Sequence, residues 1–279
     1  MECFAMIEVN NSVENVQNGD PVKIWVPCGK CIACQSNRRE HWSVRLEEEL
    51  RVSSSAYFVT LTFSEEPVNG VGTEIFQKYM KRLRKAVSLK CPDARLRYYC
   101  TAEYGANTFR PHYHLLLFNL PPNCYDDITS CWTDFSEDSE SLRYKCGFTH
   151  VGKVTPATIN YTTKYMIKDA GFSQVLEDNL LSKPRSYMSK GLGKAYCVRM
   201  KEWHAAVPEK RVYVPTKDGR KRSMPRYYKT ALGLKAKPLP YQDAFDKYPD
   251  APLPYYYDMA VKQSIERRAL RNKRNNNLL

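Results

Sequence analysis

The first two thirds of the chain alternate between helical and extended patterns of hydrophobic and polar residues. Apolar residues recur every three or four positions in some segments, which predicts amphipathic helices. Other segments are short β-branched or aromatic runs, which predict strands. The predicted elements are a helix over 37–51, a strand over 57–63, a basic helix over 74–87, a hairpin over 97–118, a short strand over 150–154 and a helix that begins near 156. This order predicts an α+β fold in which helices flank a central antiparallel sheet, the ferredoxin-like or RRM-like arrangement.

The hairpin carries the first candidate chemistry. Its second strand holds His112 and His114, and because side chains alternate between the faces of a strand, both imidazoles point to one face. Turn residues at 104–107 favour antiparallel pairing with the strand that contains Glu103, and a register that lays Glu103 opposite either histidine puts it on their face. Two imidazoles and a carboxylate suit Mg²⁺, Mn²⁺ or a similar ion, with positions open for phosphate oxygens. The alternative is a partly exposed strand that carries these residues without a metal.

A second group of polar residues lies on the helix that begins near 156. Thr155 and Pro156 form a helix-start signal, a capping hydroxyl followed by proline in the first turn. Two phenols and two ammonium groups then follow at spacing i, i+3, i+4 and i+7, which places them on one face; they are Tyr161, Lys164, Tyr165 and Lys168. Nearby cations make the oxyanion of a phenol easier to form, so this face suits attack on a phosphodiester. The alternative is an amphipathic helix with tyrosines at the boundary of the core.

A cysteine run near the N-terminus has the spacing of a metal site. Cys28, Cys31 and Cys34 form a C-x-x-C-x-x-C pattern, which can ligate Zn²⁺ or an iron–sulfur cluster. A closed zinc site needs a fourth ligand, and Cys3 and His41 are both candidates. The alternative is a set of reduced structural thiols, since a chain of 279 residues without an evident secretory signal is not expected to depend on disulfides.

The charge of the chain points to a polyanionic partner. The net charge is +13, and it is unevenly distributed: residues 1–180 hold 20 Lys and Arg against 22 Asp and Glu, whereas residues 181–279 hold 23 against 8. Tyrosine and proline are interleaved with the cations of the last third, which suits phosphate contact and stacking on bases. The residues predicted to contact DNA are Arg110, Arg220, Lys221, Arg222, Arg226, Tyr227, Tyr228 and Lys229. The last ten residues are expected to form a disordered tail.

Four motifs occur together in this chain. They are Pro27-Cys28-Gly29-Lys30-Cys31-Ile32-Ala33-Cys34, Phe58-Val59-Thr60-Leu61-Thr62-Phe63, Glu103-Tyr104-Gly105 leading to Arg110-Pro111-His112-Tyr113-His114, and Tyr161-x-x-Lys164-Tyr165-x-x-Lys168. In this order and spacing, the chain resembles replication initiators of the HUH endonuclease class, in particular those of microviruses of the gokushovirus-like branch. The resemblance covers about residues 27–170.

The resemblance implies a role for each motif residue. It implies that His112 and His114 bind a divalent metal ion, with Glu103 as a third ligand. It also implies that Tyr161 and Tyr165 are alternating nucleophiles that Lys164 and Lys168 support. The implied function is a metal-dependent nick in single-stranded or origin DNA. A 5′-phosphotyrosine link forms, the free 3′-OH primes rolling-circle replication, and the ends are later rejoined.

The resemblance and the charge distribution together predict three parts. They are a Cys-rich segment with a helix over 1–52, an HUH nicking domain over 53–180 and a basic DNA-contacting extension over 181–279. The chain has no run of 18 or more apolar residues and no secretory pattern at its start. We therefore expect no membrane partner and action in the cytoplasm of a bacterial host.

The chain contains no G-x-x-x-x-G-K-[S/T] motif, so duplex unwinding is expected to come from a host helicase, with a host polymerase extending the primer. Two other functions stay open at this point. The first is a relaxase or transposase of the same enzyme class, and the second is a basic single-stranded-DNA-binding protein without catalytic activity.

Overall fold

The computed structural model describes residues 3, 6–10, 23–105, 108–133, 145–164, 180–216 and 218–234. The chain divides into two compact units. The smaller unit comprises residues 1–38 and 235–279, and the larger unit comprises residues 39–234. Each is described here by itself.

The described part of the smaller unit is a short hairpin followed by a cysteine-containing loop. Strand β1 (Ile7–Asn10) pairs antiparallel with β2 (Lys23–Val26), with Ile7 opposite Val26. This pairing brings the residues before β1 alongside the residues after β2, so the backbone N–H of Cys28 donates to Cys3 Sγ at 3.2 Å. Helix α1 (Ile32–Val52) begins directly after this loop.

The larger unit is built on a five-stranded antiparallel sheet. Its elements are β3 (Ala56–Glu65), α2 (Thr73–Lys90), β4 (Arg97–Tyr104), β5 (Pro111–Phe118), α3 (Asp127–Ser130), β6 (Lys145–Lys153), α4 (Pro156–Lys164), β7 (Arg185–Met188), α5 (Lys194–Ala206), β8 (Tyr213–Pro215), β9 (Lys221–Ser223) and α6 (Arg226–Ala231). The strand order is β6-β3-β5-β4-β7, and β8 and β9 form a separate two-stranded sheet. The predicted fold class, α+β with helices flanking a central antiparallel sheet, is confirmed.

The two faces of the sheet pack against different helices because the residues of β5 alternate between them. Tyr113, Leu115 and Leu117 belong to the apolar cluster that includes α2 and α3. Leu116 and Phe118 belong to a second cluster that includes residues of α1 and α4. His112 and His114 have the parity of this second set, so the candidate metal ligands lie on the face that α1 and α4 cover.

Helix α2 shows why the opposite face is the larger core. Its buried residues follow helical spacing on one side; they are Ile75, Phe76, Tyr79, Met80, Leu83 and Val87. The basic residues of α2 lie on its other, solvent-facing side; Lys81, Arg84 and Lys85 are all exposed. The helix ends at Lys90, two residues before Pro92.

Two predicted elements are longer in the structure than in the sequence pattern. Helix α1 begins at Ile32 rather than at 37, because Ala33 and Cys34 are buried in its first turn. Strand β6 begins at Lys145 rather than at 150. A Cβ at Gly147 would lie 2.8 Å from the backbone of Phe63, so this glycine permits a close approach of β3 and β6.

Residues 181–234 pack closely within the larger unit. Tyr196, Val214, Met224 and Tyr228 form a buried cluster with Val44 of α1. Because α1 lies on the histidine face of the sheet, these C-terminal elements lie on that side too. The predicted three-part division stays a prediction, and the predicted tail lies outside the described residues.

Within the described part of the chain, no helix is both long enough and apolar enough to cross a membrane.

Candidate active site

The hairpin of β4 and β5 places a carboxylate and two imidazoles together. Glu103 lies directly opposite His112, and Thr101 lies opposite His114. The predicted hairpin, the shared face of the histidines and the register that brings Glu103 to them are all confirmed by this pairing. Since these three residues lie within twelve positions of one another, a single hairpin assembles the group.

The three side chains converge on one small volume. Glu103 Oε1 lies 2.6 Å from His112 Nε2 and 2.9 Å from His114 Nε2. The two imidazole rings are 4.8 Å apart and nearly perpendicular. Glu103 and His114 are almost fully buried, whereas the His112 side chain keeps 18% of its surface exposed. The group is therefore open to solvent on the His112 side.

The other ring nitrogen of each histidine has its own partner. His112 Nδ1 lies 3.0 Å from the carbonyl oxygen of Arg110, which can only accept, so Nδ1 carries the proton and donates. His114 Nδ1 lies 3.0 Å from Thr60 Oγ1 on the neighbouring strand β3. Partners of this kind orient an imidazole so that its free Nε2 faces a metal ion.

The electrostatics of the group are those of a cation site. Although burial alone would raise the pKa of Glu103, hydrogen bonds to His112 and His114 lower it below its usual value. Burial lowers the pKa of His114, against the opposing pull of Glu103. The result is an ionised carboxylate and a histidine that favours its neutral form, the protonation states in which these groups bind a metal.

These residues fit the divalent ion that the sequence predicts. Their ligand atoms all lie within 4.8 Å of one another, and two nitrogens with one carboxylate oxygen leave further coordination positions open. With its proton on Nδ1, His112 presents a lone pair at Nε2 to the carboxylate oxygen 2.6 Å away. Two electron-rich atoms at this distance need a proton or a cation between them.

Sequence reasoning missed Thr60 and the backbone carbonyl of Arg110 as orienting groups. Thr60 lies opposite His114 in the pairing of β3 with β5. The alternation of Thr60 and Thr62 with apolar residues in β3 was the available signal. It could not be used without knowing that β3 is the neighbour of β5.

Helix α4 brings Tyr161 to this group. The predicted start signal is confirmed: Thr158 N–H donates to Thr155 Oγ1 at 3.2 Å, and Thr155 N–H donates to Thr158 Oγ1 at 2.8 Å. Ile159 and Thr163 are buried against the sheet side, which leaves Tyr161 and Lys164 on the exposed side.

Tyr161 lies beside the histidines with its ring accessible. Its ring centroid is 5.0 Å from that of His114 and 6.2 Å from that of Phe58, both in edge-on geometry. Its exposed fraction is 39%, so a substrate can reach it. Lys164 Nζ lies 6.0 Å from the Tyr161 ring. The structure therefore joins Tyr161 and Lys164 to the metal ligands, while Tyr165 and Lys168 lie outside the described residues.

The cysteine run is completed by Cys3. The thiols of Cys3, Cys28, Cys31 and Cys34 form one group whose sulfur atoms all lie within 4.8 Å of one another. The other candidate ligand, His41, has its Nε2 3.1 Å from Ser223 Oγ. The structure thus decides between the two candidates for the fourth position in favour of Cys3.

The predicted DNA-contacting residues fall into two groups. Arg110, Arg220, Lys221 and Arg226 are exposed, and Lys229 and Tyr227 are half-buried. The guanidinium of Arg45 lies over the Tyr227 ring at 4.3 Å. The exposed members keep the placement that contact with phosphates requires.

Two of the predicted DNA contacts need correction. Tyr228 is fully buried and stacks on Tyr196 with ring centroids 4.6 Å apart, so its ring is not available to a base. Arg222 is bound by the carboxylates of Glu40 and Glu47, each at 2.6 Å. Both side chains hold the C-terminal elements to each other or to α1 rather than facing solvent.

Comparison with known proteins matches the part of the chain that holds this site. The family model of the replication-associated protein ORF2 matches residues 56–170. The chain is 29% identical over 257 residues to the replication-associated protein ORF2 of Spiroplasma virus 4, covering 82% of this chain and 79% of the relative. It is 28% identical over 213 residues to the replication-associated protein VP4 of Bdellovibrio phage phiMH2K, covering 72% of this chain and 65% of the relative.

A third relative gives the same indication. The chain is 24% identical over 218 residues to the replication-associated protein ORF4 of Chlamydia phage 1, covering 74% of this chain and 53% of the relative. No solved structure matches the chain. The resemblance to microvirus initiators that the sequence predicts is confirmed by these matches.

Proposed function

Starting from the similarity of this chain to microvirus replication-associated proteins, we propose that it is a metal-dependent, DNA-nicking initiator of rolling-circle replication. The observation that carries this proposal is the position of the Tyr161 ring, 5.0 Å from the His114 ring in the Glu103, His112 and His114 group. A nucleophile candidate and a cation site thus face the same solvent-accessible space.

Each residue has a defined part in this reaction. Glu103, His112 and His114 hold the ion, Mg²⁺ or Mn²⁺, which would polarise the scissile phosphate and offset charge in the transition state. The Arg110 carbonyl and Thr60 keep the two imidazoles turned toward the ion. Burial of Glu103 and His114 keeps their geometry fixed before DNA binds.

Tyr161 acts as the nucleophile. Its phenolic oxygen loses its proton and attacks the phosphorus, forming an O–P bond. The bond from phosphorus to the 3′ oxygen breaks, and this oxygen leaves as a free 3′-OH. The 5′-phosphate stays linked to the tyrosine, so a later attack by a 3′-OH reverses the step and rejoins the ends without ATP. Lys164 supplies positive charge beside the phenol and the phosphate.

Tyr165 is proposed as the second nucleophile and Lys168 as its supporting cation, from the spacing of the motif alone. A second tyrosine could cleave the regenerated origin while the first still holds DNA. The free 3′-OH then primes synthesis by a host polymerase, with unwinding by a host helicase, in the cytoplasm of the infected bacterium.

The test is a covalent adduct with DNA. The full chain is incubated with Mn²⁺ and labelled single-stranded oligonucleotides tiled across the replicon that encodes it. We expect an adduct that survives denaturing electrophoresis, and mass spectrometry should place the nucleotide on Tyr161 or Tyr165. Tyr161→Phe and Tyr165→Phe should each keep some cleavage, whereas the double variant should form no adduct.

A matched control uses another exposed tyrosine. Tyr125 is 44% exposed, close to the 39% of Tyr161, and Tyr125→Phe should leave the adduct unchanged. His112→Ala or His114→Ala should abolish nicking, and Glu103→Ala should weaken the metal dependence less completely. Full nicking by the double histidine variant in the presence of a chelator, or an adduct on another residue, would contradict the proposal. Metal-independent binding without any adduct would favour a non-catalytic single-stranded-DNA-binding protein.

A further inference from the structure

The four thiols of the smaller unit have the spacing of ligands around one tetrahedral ion. Cys28 Sγ lies 4.0 Å from Cys34 Sγ, and Cys31 Sγ lies 3.8 Å from Cys3 Sγ. A tetrahedral zinc ion with Zn–S bonds of about 2.3 Å requires its sulfur ligands to be about 3.8 Å apart. The observed distances therefore match such a site.

We propose that Cys3, Cys28, Cys31 and Cys34 bind a single Zn²⁺ that is structural and separate from the proposed nicking site. Four cysteines give a closed coordination sphere with no position left for water or substrate, which is typical of structural zinc sites. This proposal is independent of the nicking activity.

The backbone around Cys28 is arranged to stabilise a thiolate. The N–H groups of Lys30 and Cys31 donate to Cys28 Sγ at 3.4 and 3.3 Å, and the N–H of Cys28 donates to Cys3 Sγ at 3.2 Å. Gly29 between them has a φ of +73°, a conformation that side chains other than glycine rarely adopt. Such N–H groups offset the negative charge that four thiolates bring to one ion.

Other uses of the four thiols fit less well. In a disulfide the sulfurs are about 2.05 Å apart, and none of the ten cysteines is bonded in this way. An iron–sulfur cluster distributes its thiolates over several iron atoms, so its ligands spread more widely than those of one ion. The sulfurs here all lie within 4.8 Å, which favours a mononuclear site.

The smaller unit also needs such a site for its stability. The three apolar clusters found among the described residues contain no residue from positions 1–38. Its hairpin and the start of α1 are thus held together without an apolar core of this kind. Small units with little core commonly depend on disulfides or metal ions. A zinc ion at the cysteines would fasten the hairpin to the loop and to the first turn of α1.

The first test is the metal content of the full chain. After expression in zinc-supplemented medium, we expect about one zinc ion per chain by mass spectrometry of the metal, and little iron. Cys28→Ser and Cys3→Ser should each reduce the zinc content to a small fraction of this value. Cys91→Ser is the matched control, because Cys91 is half-buried like Cys28 and Cys31 but lies outside the group.

The second test does not depend on the variants folding. In the wild-type chain, zinc should protect Cys28 and Cys31 from iodoacetamide, and a zinc chelator should expose them, while Cys91 should react equally in both states. Replacement of zinc by Co²⁺ should give the visible absorption of tetrahedral cobalt bound to thiolates.

Three results would overturn the proposal. They are wild-type protein without zinc whose four cysteines react freely, an iron–sulfur absorption spectrum in place of zinc, and undiminished zinc with the same cobalt spectrum in Cys3→Ser. None of these results bears on whether the chain nicks DNA, which the adduct experiment decides separately.

Discussion

At the scale of single residues, the candidate site depends on atoms that hold the ligands in place. His112 is turned by the Arg110 carbonyl and His114 by Thr60. The carbonyl is backbone and survives any substitution, whereas the hydroxyl of Thr60 can be removed without changing the shape of the side chain. Thr60 is therefore the residue at which orientation can be separated from ligation.

Thr60→Val tests this role. We expect it to lower the affinity for Mn²⁺ by about 10- to 100-fold, the usual effect of losing a group that orients a ligand, with little change in unfolding. The measurement is a Mn²⁺ titration followed by electron paramagnetic resonance. Thr62→Val is the matched control, since Thr62 lies on the same strand but donates to the Phe148 carbonyl at 2.8 Å. Equal Mn²⁺ affinity in wild type and Thr60→Val would contradict the assignment.

His41 gives the chain a pH-dependent stability. Burial first, and then the charge of Lys229, lower the pKa of His41 from 6.5 to about 4, against the opposing effect of Glu40. Between these values the unfolded chain binds a proton that the folded chain does not, so stability falls as the pH drops from 6.5 toward 4. Above 6.5 this penalty is absent.

His41→Gln should remove this penalty. Glutamine can still bond to Ser223 but does not titrate, so the variant should gain stability relative to wild type at low pH. The gain should be at most about 3 kcal/mol. Urea unfolding of both proteins at about pH 4.5 and about pH 7 measures it. An unchanged difference between the two proteins at both pH values would refute the prediction.

At the scale of elements, helix α1 connects the sheet with the C-terminal segments through its carboxylates. Glu49 binds Arg97 of β4 and accepts from the backbone N–H of Gly193 at 2.8 Å. Glu48 binds Arg199 of α5, and Glu47 binds Arg222 of β9. The acidic run of α1 thus compensates cations that sequence alone would assign to the DNA surface.

Glu49→Gln should destabilise the larger unit by about 2 kcal/mol, because it removes the charge that Arg97 faces and disturbs the bond to Gly193 in a nearly buried position. The control is Glu74→Gln on α2, where the ion pair with Lys78 is exposed and worth only about 0.3 kcal/mol. Both are measured by urea denaturation. Equal effects of the two variants would show that the Glu49 contacts are not stabilising.

At the scale of the whole molecule, the basic surface is divided between the two sides of the sheet. Helix α2 exposes its cations on the side away from the histidines. Segments β8, β9 and α6 lie on the histidine side, through their packing on α1, and they expose Arg220, Lys221 and Arg226. DNA that reaches the site is expected to contact this second group.

The salt dependence of DNA binding tests this division. The triple variant Arg220→Gln, Lys221→Gln and Arg226→Gln should reduce the slope of log K against log salt by about 2, at about 0.7 per phosphate contact for single strands. Neutralising Lys81, Arg84 and Lys85 on α2 removes the same charge from the opposite side and should change the slope less. A larger effect of the α2 variant would place DNA on the other face.

The sequence by itself determined what local geometry controls. The alternation of side chains along a strand put His112 and His114 on one face. The turn before them brought Glu103 opposite His112, and the Thr155 signal began the helix that carries Tyr161. All of these contacts join residues close in sequence, where the period of a strand or helix and the chemistry of a turn leave few possibilities.

Only the tertiary structure decided the contacts between distant segments. It placed Thr60 beside His114, chose Cys3 over His41 as the fourth member of the cysteine group, buried Tyr228 and paired Arg222 with two carboxylates of α1. Burial and ion pairing depend on which elements become neighbours, and residue type does not reveal this. A tyrosine suits a core as well as a base, and an arginine binds a carboxylate as readily as a phosphate.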